Sequence, residues 1–216
     1  MSARWDTDDL QADAPTSTRV DLLFPARGGP LPRDHRALLA GAVGEHLPWL
    51  GGEPGTGVLD MNLVAGGGAQ ALLSGRTRLV VRVPRERADE AGQVLGGAVL
   101  NPGGHPLTLG RPTRRELLLH RTLYAHFVAA RAGDDELAFL AAVDAELDRL
   151  GATCRPVCGR RQTLRGEAGP LTGFSLMLDG LTPAHALRIL EAGLGAHGRL
   201  GCGLFVPHRS AAAVGS

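Results

Sequence analysis

The chain has 216 residues, 44 % hydrophobic and 4 % aromatic, with a formal net charge of +1. That is apolar material enough for a folded core, in one large domain or two of about 100 residues each. The near-neutral charge argues against a uniformly basic surface, the few aromatics against base recognition by rows of stacked rings, and no apolar run approaches the 18 residues of a membrane span.

Residues 1–17, with Asp6, Asp8, Asp9, Asp13 and Pro15, read as a disordered acidic tail. Residues 19–25 predict a strand stopped by Pro25 and Gly28-Gly29-Pro30. Asp34 is placed to cap a helix over 35–47, whose Leu38, Leu39, Ala42, Val43 and Leu47 recur at helical spacing. A glycine-rich loop follows over 51–57. Strands are expected over 58–64 and 76–83, a short helix over 86–95, and a hairpin from 98–100 and 106–109 around Asn101-Pro102-Gly103-Gly104. The order strand, helix, strand, strand, helix, strand is that of a ferredoxin-like unit, shared with RNA-recognition modules.

Residues 111–116 read as a connector, after which the order repeats. A strand is predicted over 122–130, and an amphipathic helix over 134–150 with Leu137, Leu140, Val143, Leu147 and Leu150 on its apolar side. Strands over 155–158 and 171–178 flank or include a basic turn region, 159–169. A helix from Thr182 or Pro183 to Glu191 and a last strand near 204–206 complete the set. The expected fold is therefore α+β, with tandem ferredoxin-like (RRM-like) units over 18–112 and 118–209, a C-terminal glycine-rich loop, and a tail over 210–216. The alternative is a single α/β sandwich with the same element count.

All 23 basic residues are arginine, and they are unevenly spread. The run 134–148 is acidic, while 111–121 and 155–165 are basic, so a positive groove is compatible with a neutral total. Arg160, Arg161 and Arg165 are candidate phosphate contacts, because guanidinium meets phosphate in a bidentate way. Arg111, Arg114 and Arg115 either line a cleft between the units or are solvated linker charge. Cys154, Cys158 and Cys202 form no Cys-x-x-Cys and lack further ligands at metal-binding spacing. They read as structural thiols of a cytoplasmic protein.

The densest signal is Gly193-Leu194-Gly195-Ala196-His197-Gly198-Arg199-Leu200-Gly201-Cys202-Gly203. Glycine accepts positive φ and close approach of another backbone, and successive amides in such turns form anion-binding concavities. Gly193, Gly195, His197, Arg199, Gly201 and Gly203 are thus candidates for holding a phosphate or an RNA backbone. The plainer alternative is a tight helix-to-strand connection with glycines at a cap and a bulge.

Gly-Leu-Gly, five residues, then Gly-Cys-Gly-Leu-Phe-Val resembles the C-terminal glycine-rich loop of CRISPR-associated repeat-RNA endoribonucleases. The tail 201–209, Leu31-Pro32-Arg33-Asp34-His35 and Val157-Cys158-Gly159-Arg160-Arg161 look most like the short MYXAN-subtype branch. The resemblance implies the tandem ferredoxin-like fold. It also implies cleavage of precursor CRISPR RNA within its repeats, without metal or other cofactor. The 2′-hydroxyl beside the scissile phosphate attacks, leaving a 2′,3′-cyclic phosphate and a 5′-hydroxyl. Repeat RNA is then the partner, with other subunits of a CRISPR effector complex as further partners and no membrane.

Such a reaction asks the protein to take one proton, give another and stabilise charge on phosphorus. His35 is the first candidate, since the family places a histidine at the start of the first helix, and a helix N-terminus favours its neutral form. A tyrosine that some relatives carry three residues earlier is Pro32 here. His46, near the end of the same helix, is the second candidate. His105, His120, His126, His185, His208 and Tyr124 are assigned to structure. The alternatives are a non-catalytic RNA-binding subunit of an effector complex, motivated by Pro32, and a ferredoxin-like enzyme whose glycine loop holds a nucleotide phosphate. The last lacks any P-loop Gly-Lys-Ser/Thr.

Overall fold

The computed structural model describes residues 16–131, 133–166 and 168–208. In the first unit, β1 (Arg19–Gly28), β2 (Leu31–Pro32), α1 (Arg36–His46), β3 (Gly57–Val58), β4 (Val64–Ala65), β5 (Gln70–Leu72), β6 (Arg78–Pro84), α2 (Ala88–Leu95), β7 (Val99–Leu100), β8 (Leu107–Leu109) and β9 (Thr113–Glu116) follow in order. The second unit comprises β10 (Thr122–Ala129), α3 (Glu136–Leu150), β11 (Arg155–Arg165), β12 (Pro170–Asp179), α4 (Pro183–Ala192) and β13 (Val206–Pro207).

Both units have the same antiparallel arrangement. In the second, the sheet order is β11-β12-β10-β13; in the first, β3-β6-β1 continues to β8 and β7, and β9 also pairs with β1. Each is a ferredoxin-like sheet with two helices, so the chain is a tandem ferredoxin-like α+β protein. A small sheet, β2-β5-β4, sits beside the first unit.

Several boundaries differ from expectation, each for a local reason. Pro25 does not stop β1. Its missing N–H ends the pairing with β6, but its carbonyl accepts from Gly110 N at 2.7 Å, and the strand continues against β8 from Ala26. The connector 111–116 contains a strand, β9, paired with β1 from Val20↔Glu116 to Leu23↔Thr113. Instead of ending at 158, β11 runs to Arg165, so the basic turn region is the far half of a long hairpin. Asp34 does not cap α1. The N-cap is His35, and Asp34 Oδ1 instead accepts from Arg165 N at 3.4 Å. Of the tail expected over 1–17, residues 1–15 lie outside the described residues, whereas Ser17 is buried and donates to Glu191 Oε1 at 3.1 Å. The expected tail 210–216 and residue 209 also lie outside them.

Two cores result. One gathers Val20, Leu22 and Phe24 of β1, Leu39 and Val43 of α1 and Leu79, Val81 and Val83 of β6; the other gathers Leu123 and Ala125 of β10, Phe139 and Val143 of α3, Leu176 and Leu178 of β12 and Ile189 of α4. Three segments of the second unit reach into the first core: Phe127, the glycine-rich loop through Leu200 and Cys202, and the hairpin tip through Leu164 and Leu171. Among the described residues, no helix is long and apolar enough to cross a membrane.

Candidate active site

A cleft of about 400 Å³ lies where the units meet. Asp21, Arg36, Asp60, Arg82 and Arg115 line it from the first unit, and His126, Leu204 and Val206 from the second. Its floor is an ion cluster. Arg82, 1 % exposed, donates through Nε to Asp21 Oδ1 at 2.8 Å and through Nη1 to the Phe205 carbonyl at 2.9 Å, so it bonds the units together. Arg115 Nη2 meets the other oxygen of Asp21 at 2.9 Å, from a side chain 47 % exposed.

His35 lies at one edge of this site. Its Nδ1 stands 3.0 Å from the carbonyl oxygens of both Pro32 and Arg33. Carbonyls only accept, so Nδ1 carries the hydrogen and Nε2 is the atom that gains or gives a proton. Nε2 is sealed from solvent without a hydrogen bond, 3.9 Å from Asp60 Oδ1. Asp60 is in turn held by Arg36, with Nε to Oδ1 at 3.2 Å and Nη2 to Oδ2 at 2.7 Å. Arg36 follows His35 in sequence, whereas Asp60 arrives from the irregular segment after β3.

His46 does not share this site. It ends α1, about 16 Å along the axis from His35 at 1.5 Å per residue, and its Nδ1 bonds back to the Ala42 carbonyl at 3.1 Å. Arg160, Arg161 and Arg165 are exposed on the outer half of β11. The Arg161 guanidinium lies 5.9 Å from the Phe174 ring, and the Arg165 amide reaches Asp34 beside His35.

The glycine-rich loop is folded against protein over much of its length. Its backbone takes left-handed φ at Gly193, Gly195, His197, Gly201 and Gly203. Gly203 N donates to Phe127 O at 2.7 Å, Leu194 N to Gly203 O at 3.1 Å and Gly195 N to Glu146 Oε2 at 2.7 Å. A Cβ on Gly203 would stand 1.7 Å from the Leu194 carbonyl oxygen, and one on Gly201 2.3 Å from that of Val58. Arg199 runs across Gly51 toward Gly44 of α1. What stays exposed is the rim Gly195-Ala196-His197. His197 and Arg199 line a second cavity, of about 350 Å³, with the hairpin tip at Pro170 and Leu171.

Two cleft residues carry no signal in the sequence. Asp60 belongs to no motif, and His126 looks like any strand histidine. His126 is lowered from the ordinary histidine pKa, first by desolvation against the cleft walls although its ring faces the opening; Asp60 opposes the shift, and Arg36 and His208 add to it. The three cysteines are all pushed up to about 11, chiefly by burial, which keeps them as thiols. No group of three or more His, Cys, Asp or Glu side chains is placed to hold a metal among the described residues.

Two ferredoxin-like units, joined by a glycine-rich loop and facing a cleft of Arg, Asp and His, define the class: a tandem ferredoxin-like protein with a charged inter-unit site. The family model described as "Cas6 Crispr" matches residues 20–210, and the chain belongs to that family. It is 39 % identical over 197 residues, 91 % of this chain and 85 % of the relative, to a CRISPR-associated endonuclease Cas6 of Myxococcus xanthus (strain DK1622). Solved structures share the fold at low identity. One called "CRISPR associated protein Cas6" has TM-score 0.62 and 10 % identity over 89 % of this chain and 100 % of its own. One described as an RAMP protein binding different RNA substrates has TM-score 0.59 and 11 % identity over 88 % and 99 %.

Proposed function

We propose that this chain is an endoribonuclease that cuts precursor CRISPR RNA within its repeats to give mature CRISPR RNA, by metal-independent attack of the 2′-hydroxyl that leaves 2′,3′-cyclic phosphate and 5′-hydroxyl ends. Family membership and the relative named as an endonuclease support the reaction and its RNA. The observation that carries the site is His35. Two carbonyls lock its tautomer and leave Nε2 as a single proton-handling atom beside the Arg36–Asp60 pair. Arg36 is the nearest cation to that atom's partner. A phosphate entering the cleft competes with Asp60 for its guanidinium, and that exchange opens His35 to the scissile bond.

RNA is held by charge on two elements. Arg160, Arg161 and Arg165 on the hairpin meet phosphates, giving affinity and salt dependence rather than sequence choice. The loop over Gly193, Gly195, His197, Arg199, Gly201 and Gly203 contributes its exposed rim and the cavity beside the hairpin tip. The protein works in the cytoplasm, where other subunits of a CRISPR effector complex are further partners.

The test is a synthetic repeat RNA incubated with the protein in EDTA, beside the same RNA bearing a 2′-deoxy substitution at the cut site. Cleavage of the first and not the second is expected. His35→Ala retains RNA binding and loses cleavage by about 10²–10⁴-fold, the usual worth of one acid–base group; full activity in that variant removes His35 from the mechanism. A second reading, a non-catalytic RNA-binding subunit, is favoured by the burial of His35, which is 5 % exposed. Tight binding with no cleavage of either RNA decides for it.

A further inference from the structure

We propose that His126 is a second proton-transfer residue, the base that takes the 2′-hydroxyl proton from the side of the cleft opposite the Arg36–Asp60 pair. This rests on the endoribonuclease reading above, and it assigns the complementary acid role to His35.

The placement begins with the strand. Alternation along β10 buries Leu123, Ala125 and Phe127 and leaves Tyr124 and His126 on the other face. The register against β12 then slips between Ala125 and Val128, a bulge that contains His126 and Phe127. Bulges bend a strand and re-aim its side chains. Phe127 here enters the first unit's core while its neighbours Ala125 and Val128 serve the second, and His126 lines the cleft. The position is braced from both sides. Gln162 Nε2 of β11 donates to the His126 carbonyl at 2.9 Å, and the Tyr124 ring packs edge-on at 5.0 Å. On its far side Tyr124 meets the ring of His208 at 5.4 Å.

His126 also differs from the four histidines whose rings are tied to the backbone. His35, His46, His120 and His185 are all anchored through Nδ1 to backbone carbonyls. Among the described residues, no hydrogen bond engages the His126 ring, which leaves a nitrogen open for substrate. The charged and titratable groups around it are Asp60 and Arg36 from the first unit and Tyr124 and His208 from its own sheet. The balance keeps the ring neutral near pH 7, the form a base needs.

The step balances without a co-reactant. Neutral His126 accepts the proton of the 2′-hydroxyl as O2′ forms its bond to phosphorus. The P–O5′ bond breaks, and O5′ takes the proton from Nε2–H of protonated His35. Exchange with water afterwards deprotonates His126 and reprotonates His35.

The experiment measures single-turnover cleavage of repeat RNA in EDTA by wild type, His35→Ala, His126→Gln and His126→Asn, with RNA affinity and melting temperature measured for each. His126→Gln or His126→Asn, whichever melts like wild type, is expected to bind RNA within about threefold and to cleave about 10²–10⁴-fold more slowly. Its rate loses the acid limb that wild type shows below the ordinary histidine range. An RNA with sulfur replacing O5′ separates the roles, because a thiolate leaves without a proton: His35→Ala regains rate on it, and the His126 variants stay slow. Wild-type cleavage with an undiminished folded His126 variant overturns this proposal alone, as does equal recovery of both variants on the sulfur substrate. Wild type that binds and never cuts overturns the endoribonuclease reading and this one with it.

Discussion

The glycine-rich loop and the inter-unit cleft make opposite impressions in sequence and in space. The loop packs four positive-φ glycines and a positive-φ histidine into eleven residues. In space, much of that freedom serves a joint between protein segments: Gly203 against Leu194, Gly201 against Val58, Gly198 against Gly57, with Leu200 and Cys202 in the first core and Leu194 in the second. The cleft draws on residues 36, 60 and 126, which share no motif, and holds two ion clusters and a histidine. Dense glycine thus reports that some backbone comes close, without saying whose. Charged and titratable side chains gather where two sheets converge and distant residues meet.

The largest expected effect tests the joint. Gly203→Ala places a Cβ 1.7 Å from a backbone oxygen at φ 68°, so backbone rather than a flexible side chain would have to shift. A loss of about 4 kcal/mol or more is expected, a drop in melting temperature of roughly 8–16 °C for a chain of this size. Gly29→Ala, with nothing within 4 Å, changes stability by less than about 0.5 kcal/mol. Equal melting temperatures for the two variants would break the comparison, because the loop would then be free to yield as an open anion site does.

The next effect tests the cleft floor. Arg82→Met removes a fully buried guanidinium, leaves the 2 % exposed Asp21 with one partner and frees the Phe205 carbonyl. The cost is about 3 kcal/mol, at the lower end for a broken buried pair because Arg115 still faces Asp21. Arg115→Ala costs under about 1 kcal/mol, since Arg82 remains and Arg115 is half exposed. Urea melts of both variants separate the two arginines. A loss from Arg115→Ala as large as that from Arg82→Met would make the floor one shared network rather than a bolt with an outer cation.

What the sequence disclosed follows from periodicity. The helices expected over 134–150 and from Thr182 or Pro183 to Glu191 fall within a residue or two of α3 and α4, which the structure caps with Asp135 and Thr182. The repeated element order disclosed the tandem fold. The basic hairpin was legible as charge but not as strand. Gly159 and Arg160 look like a turn, yet they sit in a slip of register between Cys158 and Arg161, where Gly159 lies close to Ser175 and Ser175 Oγ accepts from Arg160 N at 3.0 Å. β9 was read as a connector because all four of its residues are polar and exposed. It is an edge strand held by its ladder, by Arg115 on Asp21 and by the Arg85–Glu116 pair. His35 was singled out through family resemblance and its expected place at the start of α1. Asp60 and His126 were not legible, since an irregular segment and a strand bulge position them, and neither leaves a pattern in one dimension.

The smallest effect sharpens the comparison at the loop's exposed rim. Arg160 and Arg161 are exposed on the hairpin, so each phosphate they neutralise adds about one unit to the slope of log affinity against log salt. Arg160→Ala with Arg161→Ala together lowers that slope by about 2 and leaves cleavage at saturating RNA unchanged, because neither side chain lines the cleft. His197→Gly isolates the rim. The backbone there already takes φ 64°, which glycine adopts freely, so the substitution removes the imidazole while keeping the turn. A slope or affinity that shifts with His197→Gly puts RNA on the rim as well as on the hairpin. An unchanged slope and affinity confine the contact to the hairpin and leave the loop the joint alone, since loss of the ring would then touch nothing that the RNA touches.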